Sequence, residues 1–433
     1  MLLNKILAVL LAVVFLTFSG LALAGPEPEK PSGNTEKKEE KTISLKKGTK
    51  FLEEEKEQEE QEGQSSEETE QTEQTEQTEQ TEENEETSTE NTLLYINGTD
   101  HPYYYPLLSD EEKLFYEGYE RIAQNAQTAG YSTSVFTALD PSADECWKAR
   151  DKAYEAMYMD HPEYFGFFRK AGTKCIYYKS PNSEGRYQVT FTVETPYSDY
   201  EQEMTAFNAA VETFLADIDR TQRPEQIALA VHDKLMDTVA YDYSALEDPE
   251  KKDSYVYTAY GVLVKNLKGQ DNMAVCEGYS HAYVYLCQLC GLDVTMVHGD
   301  AGGSLDSLGA HAWNLVKLDG DWYELDVTWD DNVGTNARTT QGEGNFREMT
   351  NAMNADTDFY NRTSHVYFLL TTEAISHRAP AENACKFDYN GGWYTVCADE
   401  DYHIRAGTDT QSTADLTPTA YGAFHSYESI MAE

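Results

Sequence analysis

The stretch Val275-Cys276-Glu277-Gly278-Tyr279-Ser280-His281-Ala282-Tyr283 opens an apolar run through Leu286 and Leu289 that stops at Gly291. Apolar residues recur there at helical spacing, and Gly291 suits the position just past a helix end. Cys276 is thereby placed at a helix N-terminus. Free N–H groups and partial positive charge at such a point favour a thiolate and can donate to a developing oxyanion. His281, five residues on, points roughly 140° around the helix from Cys276 and reads as packing or surface. Glu277 reads as a complement to the helix dipole.

Working outward, His311-Ala312-Trp313-Asn314-Leu315-Val316-Lys317-Leu318 and Trp322-Tyr323-Glu324-Leu325-Asp326-Val327-Thr328-Trp329-Asp330 flank Asp319-Gly320. Asp-Gly between two such runs signals a two-residue hairpin turn. That register sets Trp313 opposite Asp326 and His311 opposite Thr328. With period-two alternation, His311 and Asp326 then emerge on one face as diagonal neighbours. A carboxylate so placed fixes an imidazole tautomer and stabilises an imidazolium. A thiol, a base to take its proton and a carboxylate to orient the base are what nucleophilic chemistry at cysteine requires. The spacing does not show that the Cys276 helix packs on this hairpin face.

At these residues the chain resembles the transglutaminase-like superfamily, whose fold is related to the papain-like cysteine peptidases. The resemblance covers about 224–331. It rests on Val275–Tyr279, His311–Asn314 and Asp326–Asp330 in the family's order, with catalytic positions 35 and 15 residues apart. The helix before them, with His232-Asp233-Lys234-Leu235 and then Tyr241-Asp242-Tyr243, is similar to the lead-in helix of bacterial members. The resemblance implies Cys276 as nucleophile, His311 as base and later acid, and Asp326 as orienting carboxylate. Gln270 precedes Cys276 by six residues, as a Gln does in papain-like peptidases, although Gly269-Gln270-Asp271-Asn272 also reads as an ordinary turn. Tyr279 and Trp313 are candidates to line a substrate site, core packing being the competing reading.

The remaining cysteines read more plainly. Cys287 and Cys290 form Cys-x-x-Cys inside an apolar helix with no second pair, so buried packing is favoured over metal ligation. Cys385 and Cys397 flank Asn390-Gly391-Gly392, which reads as a hairpin turn that a disulfide could span, and Cys146 with Cys175 is a second candidate pair with less support. Seven cysteines leave at least one thiol outside any intramolecular pair. The acidic runs Asp330-Asp331 and Asp399-Glu400-Asp401 match no calcium loop, and no metal or cofactor is expected. Tyr103-Tyr104-Tyr105 suits peptide or glycan binding, but aromatic core packing is the default.

The chain has 433 residues, with 33 Lys plus Arg against 77 Asp plus Glu and a formal net charge of −44. Such a charge repels phosphate, which excludes non-specific binding to nucleic acid or an anionic membrane surface. Residues 1–24, with Lys5 and the uncharged run Ile6–Ala24 ending Ala22-Leu23-Ala24, read as an export signal or, if uncleaved, an N-terminal membrane anchor. Residues 25–92 carry Thr-Glu-Gln repeats; residues 51–92 hold eighteen Glu and one Lys. They are expected to form a disordered acidic linker. The body that follows holds most of the 31 tyrosines, enough apolar surface for a sizeable core.

The body reads as α+β: a transglutaminase-like, papain-like core preceded by a helical-plus-hairpin region. Residues 93–220 form that N-terminal region, and residues 221–433 the catalytic domain with a β-rich C-terminal part. Helices are expected after Ser109, over Asp144–Met159, and near 199–219, 224–239 and 257–266. Paired strands are expected at Lys174–Tyr178 and Tyr187–Val193. The functional expectation is an exported, cysteine-dependent enzyme working on peptide or protein amides through an acyl-thioester. Cell-wall or surface proteins are among its candidate substrates. The alternative is a non-catalytic surface binding module on the same scaffold, recognising its partner through residues 93–220.

Overall fold

A computed structural model describes residues 41–44, 102–242, 254–266, 271–331, 364–378, 386–389, 392–395 and 400–422, together with 245, 269 and 430. The expected export segment, most of the acidic linker, Gln270, Cys385 and Cys397 lie outside these residues. The chain divides into two units, residues 1–45 with 96–433, and residues 46–95. All that follows concerns the first.

Its N-terminal part is a helix-backed antiparallel sheet. Strand β1, Lys41–Ser44, pairs antiparallel with the strand Gly172–Tyr177. Helix α1, Asp110–Gln124, starts at Ser109, where the Ser109 hydroxyl accepts from Glu112 N–H and the Glu112 carboxylate accepts from Ser109 N–H. Strand β2, Ser132–Thr137, carries no strong hydrophobic alternation; its Ser132 and Ser134 hydroxyls pair with those of Thr192 and Thr190 across the ladder. Helix α2, Asp144–Asp160, leads into the short helix α3, Phe165–Arg169. Strands β3, Gly172–Tyr177, and β4, Tyr187–Thr195, form the expected hairpin, with Lys174 opposite Thr192. The sheet order is β1-β3-β4-β2. Cys146 and Cys175, on α2 and β3, are free buried thiols and not a disulfide. In the Tyr103–Tyr105 cluster, Tyr104 is fully buried and takes the Asp160 carboxylate at its N–H, so packing holds there.

Helices α4, Tyr200–Leu215, and α5, Pro224–Thr238, follow with Pro224 at the first position of α5, where its missing N–H costs nothing. Strand β5, Ala240–Tyr241, runs parallel to β6, Met273–Ala274, and the short helix α6, Ala259–Leu263, lies between them in sequence. Helix α7, Cys276–Leu289, ends as read: Gly291 has φ +84°, and Leu292 N–H returns to the Cys287 carbonyl.

The second sheet runs β10-β13-β7-β8-β9. Strand β7 is Asp293–Gly302, β8 Gly309–Leu318 and β9 Asp321–Leu325. After them come helix α8, Val327–Asp330, helix α9, Thr372–Ser376, and strands β10, His377–Arg378, β11, Lys386–Tyr389, β12, Gly392–Thr395, and β13, Asp401–Arg405. β11 and β12 form the expected hairpin, with Tyr389 opposite Gly392. Strand β8 is central and buried almost throughout, as its near-continuous apolar run requires. One pleat of it, Trp313 and Leu315, packs with Val297, Val366, Tyr367, Leu370 and Ile375. On the other pleat Asn314 Nδ2 donates to the Ser280 carbonyl of α7 at 3.0 Å.

Candidate active site

The hairpin register is the one read from Asp319-Gly320. Asn314 faces Leu325 and Leu318 faces Asp321, and both turn residues have positive φ (51° and 92°). The ladder ends at Leu325, so His311 has no strand partner at Thr328. Asp326 instead caps α8: its Oδ1 accepts from Thr328 N at 3.0 Å and Trp329 N at 3.2 Å. An Asp before a helical turn captures those N–H groups and ends the extended run. The cap fixes one carboxylate oxygen and presents the other, Oδ2, to the His311 Nε2 at 2.6 Å. His311 and Asp326 are therefore paired as the diagonal argument requires, through a cap and not a continued strand.

Cys276 is half-buried at the first position of α7, after the extended residue Val275. The body of α7 rests on the Asn314 pleat, opposite in parity to His311. Its first residue nevertheless lies close enough to His311 for its charge to act on the ring. Because Nε2 is engaged by Asp326, Nδ1 is the ring nitrogen left for the thiol. Two backbone contacts fix this helix start: Val275 N–H donates to the Val256 carbonyl at 2.9 Å, and Gly278 lies so close that a Cβ there would sit 2.5 Å from the same oxygen.

Electrostatics follow from these contacts. Burial alone would lower the His311 pKa. The charge of Asp326, reinforced by that of Cys276 and by the hydrogen bond to Asp326, overrides it and pushes the imidazolium up to about 10. Burial would raise Asp326, but His311 and then His403 hold its carboxyl well below the usual range. The site is thus a desolvated imidazolium–carboxylate pair beside a thiol.

Several neighbours went unread in the sequence. His403, on β13, places Nε2 2.9 Å from Asp326 Oδ2. Trp329, only partly buried, lays its ring 5.6 Å from His311 and 4.5 Å from His403. From the N-terminal part, Tyr158 donates to Glu277, the residue after Cys276; Arg169 Nη2 donates to the Tyr158 hydroxyl at 2.6 Å and lies 3.8 Å from Glu277. Glu277 therefore pairs across the fold in addition to occupying the first helical turn. Tyr257 is pushed up to about 12 by burial first, then by the Glu277 and Cys276 charges.

Tyr279 and Trp313 cannot offer a surface to substrate, because both are fully buried. Tyr279 donates to Asp331 at 2.8 Å, and Trp313 stacks beside His311 while donating to Glu324 at 2.5 Å. They back the site from inside the core. His281 is buried edge-on to Tyr158 and is not a surface residue. Cys287 is a buried free thiol and Cys290 a half-buried one. Two His/Asp groups, His232–Asp233–His365 and His311–Asp326–His403, bring their donor atoms within 4.8 Å of one another. In each the contacts are hydrogen bonds of 2.6–2.9 Å, which account for the clustering without an ion.

Comparison with known proteins bears on the span that holds these residues. A model of the transglutaminase-like superfamily matches residues 212–327, the span holding Cys276, His311 and Asp326. The chain carries a transglutaminase-like core. Human kyphoscoliosis peptidase is 28% identical over 98 residues, which is 21% of this chain and 14% of that protein's length. Among solved structures, a TGase aligns over 37% of this chain and 44% of its own, at 14% identity and a TM-score of 0.25. A protein of Cytophaga hutchinsonii solved as a candidate cysteine protease aligns over 34% and 55%, at 14% identity and a TM-score of 0.21. Likenesses of that size carry no argument about function.

Proposed function

We propose that this transglutaminase-like protein is an exported enzyme that cleaves peptide or side-chain amides through an acyl-thioester on Cys276. The observation that supports it most is the desolvated His311–Asp326 pair, 2.6 Å apart, beside a thiol at a helix N-terminus. In this reading an ionised Cys276 attacks the substrate carbonyl. The free N–H groups of the first turn of α7 stabilise the developing oxyanion. His311, protonated and oriented by Asp326, gives its Nδ1 proton to the departing amine as the C–N bond breaks, leaving the acyl group on sulfur. Water or a second amine, deprotonated by His311, then releases it. Water makes the protein a peptidase or amidase, and an amine makes it a cross-linking acyltransferase. Residues 1–24 would carry it out of the cell, and the acidic linker would hold the body away from its point of attachment. Peptides and proteins of the cell wall or surface are then its substrates.

The test is product mass spectrometry on a peptide library, with and without an added primary amine. The wild-type protein should hydrolyse or transamidate a subset, Cys276→Ala should do neither, and an alkylating reagent should label Cys276 faster than the buried thiols. Turnover unchanged in Cys276→Ala rejects the mechanism. An inert Cys276 with no turnover would instead indicate a binding module.

A further inference from the structure

Asp326 Oδ2 has two imidazoles on it. His311 Nε2 is 2.6 Å away and His403 Nε2 is 2.9 Å away, while the two rings lie 5.5 Å apart, edge to face. His403 comes from β13, paired to β7 with His403 opposite Ala301, and lies outside the span matched by the superfamily model. It is 1% exposed, and its Nδ1 has no hydrogen-bond partner among the described residues. A cationic ring would carry a second N–H into that apolar interior with nothing to accept it, so the ring is neutral and its one proton sits on Nε2. The titratable groups facing it are Asp326, His311, Glu324 and Tyr367; Trp313 and Trp329 close the rest of its surroundings. The carboxylate oxygen therefore accepts from a charged and a neutral donor at once.

We propose that His403 is a positioning residue that sets the acidity of His311 through Asp326. By donating to the shared oxygen it takes up part of the carboxylate's negative charge, which weakens the hold of Asp326 on the imidazolium. His311 becomes a better acid toward the amine leaving Cys276, and no proton moves at His403. The inference rests on the amide chemistry proposed above. It predicts selectivity for the step that needs a proton: amide cleavage depends on His403, whereas acylation by an activated ester, whose leaving group departs as an anion, does not.

The experiment compares wild type, His403→Phe and His403→Gln on a peptide amide and on a p-nitrophenyl ester of the same acyl group, and follows the His311 ring by 15N-edited NMR across pH. His403→Phe should lower amide kcat by about 10–100-fold, the range for loss of a partner behind a ligating or catalytic imidazole. Ester acylation should stay within about threefold, and the His311 titration should move upward by about half a unit or more. His403→Gln, which keeps an N–H donor at similar reach, should restore both readouts. Equal losses on both substrates with His311 unmoved would overturn the proposal and leave His403 a packing residue. If wild type turns over neither substrate, the Cys276 reaction is what fails. The His311 titration in His403→Gln and His403→Phe then decides the coupling alone, and an unmoved titration sinks it.

Discussion

His232 and Asp330 form a fully buried pair, with Nε2 3.1 Å from Oδ2, and Asp330 Oδ1 accepts the Tyr367 N–H at 2.9 Å. His232 also contacts Asp233 at 2.9 Å through Nδ1. Burial would lower the His232 pKa, but hydrogen bonds and charge from Asp233 and Asp330 push it up to about 9. A histidine raised on folding contributes stability that is complete below its unfolded value and is lost as pH rises through its folded value. For His232 the window runs from about pH 6.5 to about 9. His161, pushed up to about 9, and His311, up to about 10, act in the same direction. Urea midpoints should therefore fall from pH 6.5 to 9. His232→Gln should remove a share on the order of 2 kcal/mol from that decline. A flat profile in wild type would contradict the pairing.

Replacing Asp326 with Asn separates its two roles. The amide oxygen can still cap α8 through Thr328 N and Trp329 N, so the fold should survive. On the other branch an NH2 group meets two ring nitrogens where an anion stood, and the His311 tautomer is no longer fixed. Turnover should fall by about 10³–10⁴-fold, as when a triad carboxylate is neutralised, with the thermal midpoint within a few degrees of wild type. Circular dichroism with steady-state kinetics checks both, and activity within tenfold of wild type would be the contrary result.

Glu324 is fully buried and accepts from Trp313 Nε1 at 2.5 Å and from Arg405 Nη2 at 2.5 Å. Arg405→Met strands the carboxylate in the interior, a change that costs about 3–5 kcal/mol. Arg405→Met with Glu324→Met should recover much of the loss, because no lone charge remains. Chemical denaturation of the two variants measures the difference.

At Gly278 a Cβ would lie 2.5 Å from the Val256 carbonyl oxygen and 2.9 Å from the Ala274 side chain. Both neighbours are tied to the backbone, so the helix start must move instead. Gly278→Ala should cost about 1–3 kcal/mol as an overpacking change and slow alkylation of Cys276 by shifting it from His311. Rapid labelling at the wild-type rate would show that the helix start tolerates the methyl.

What the sequence made legible was local. The Asp319-Gly320 turn carries its own register, so the relation of His311 to Asp326 followed by counting. Gly291 marked the end of α7, and Ser109 with Glu112 marked the start of α1. The break at Asp326 was missed because the apolar alternation runs on through Val327 and Trp329, while the competing signal is one capping carboxylate. His403 could not be read, since it reaches Asp326 from 77 residues away with no periodicity to link them. Tyr158 and Arg169 were hidden likewise, their contact with Glu277 arising from packing between helices distant in sequence. Trp313 and Tyr279 were open to two readings because motif position does not distinguish a wall's inner surface from its outer one.

The grip of Tyr158 and Arg169 on Glu277 has a practical corollary. A trimmed gene beginning at residue 212, where the superfamily match starts, would keep the thiol, the imidazole and the carboxylate. It would also leave the acid next to the nucleophile without its clasp. Biochemists seeking a minimal working fragment should start upstream of α1 and run past β13 through Ala420, because Thr413, Leu416 and Ala420 bond to Glu155, Tyr103 and Thr372.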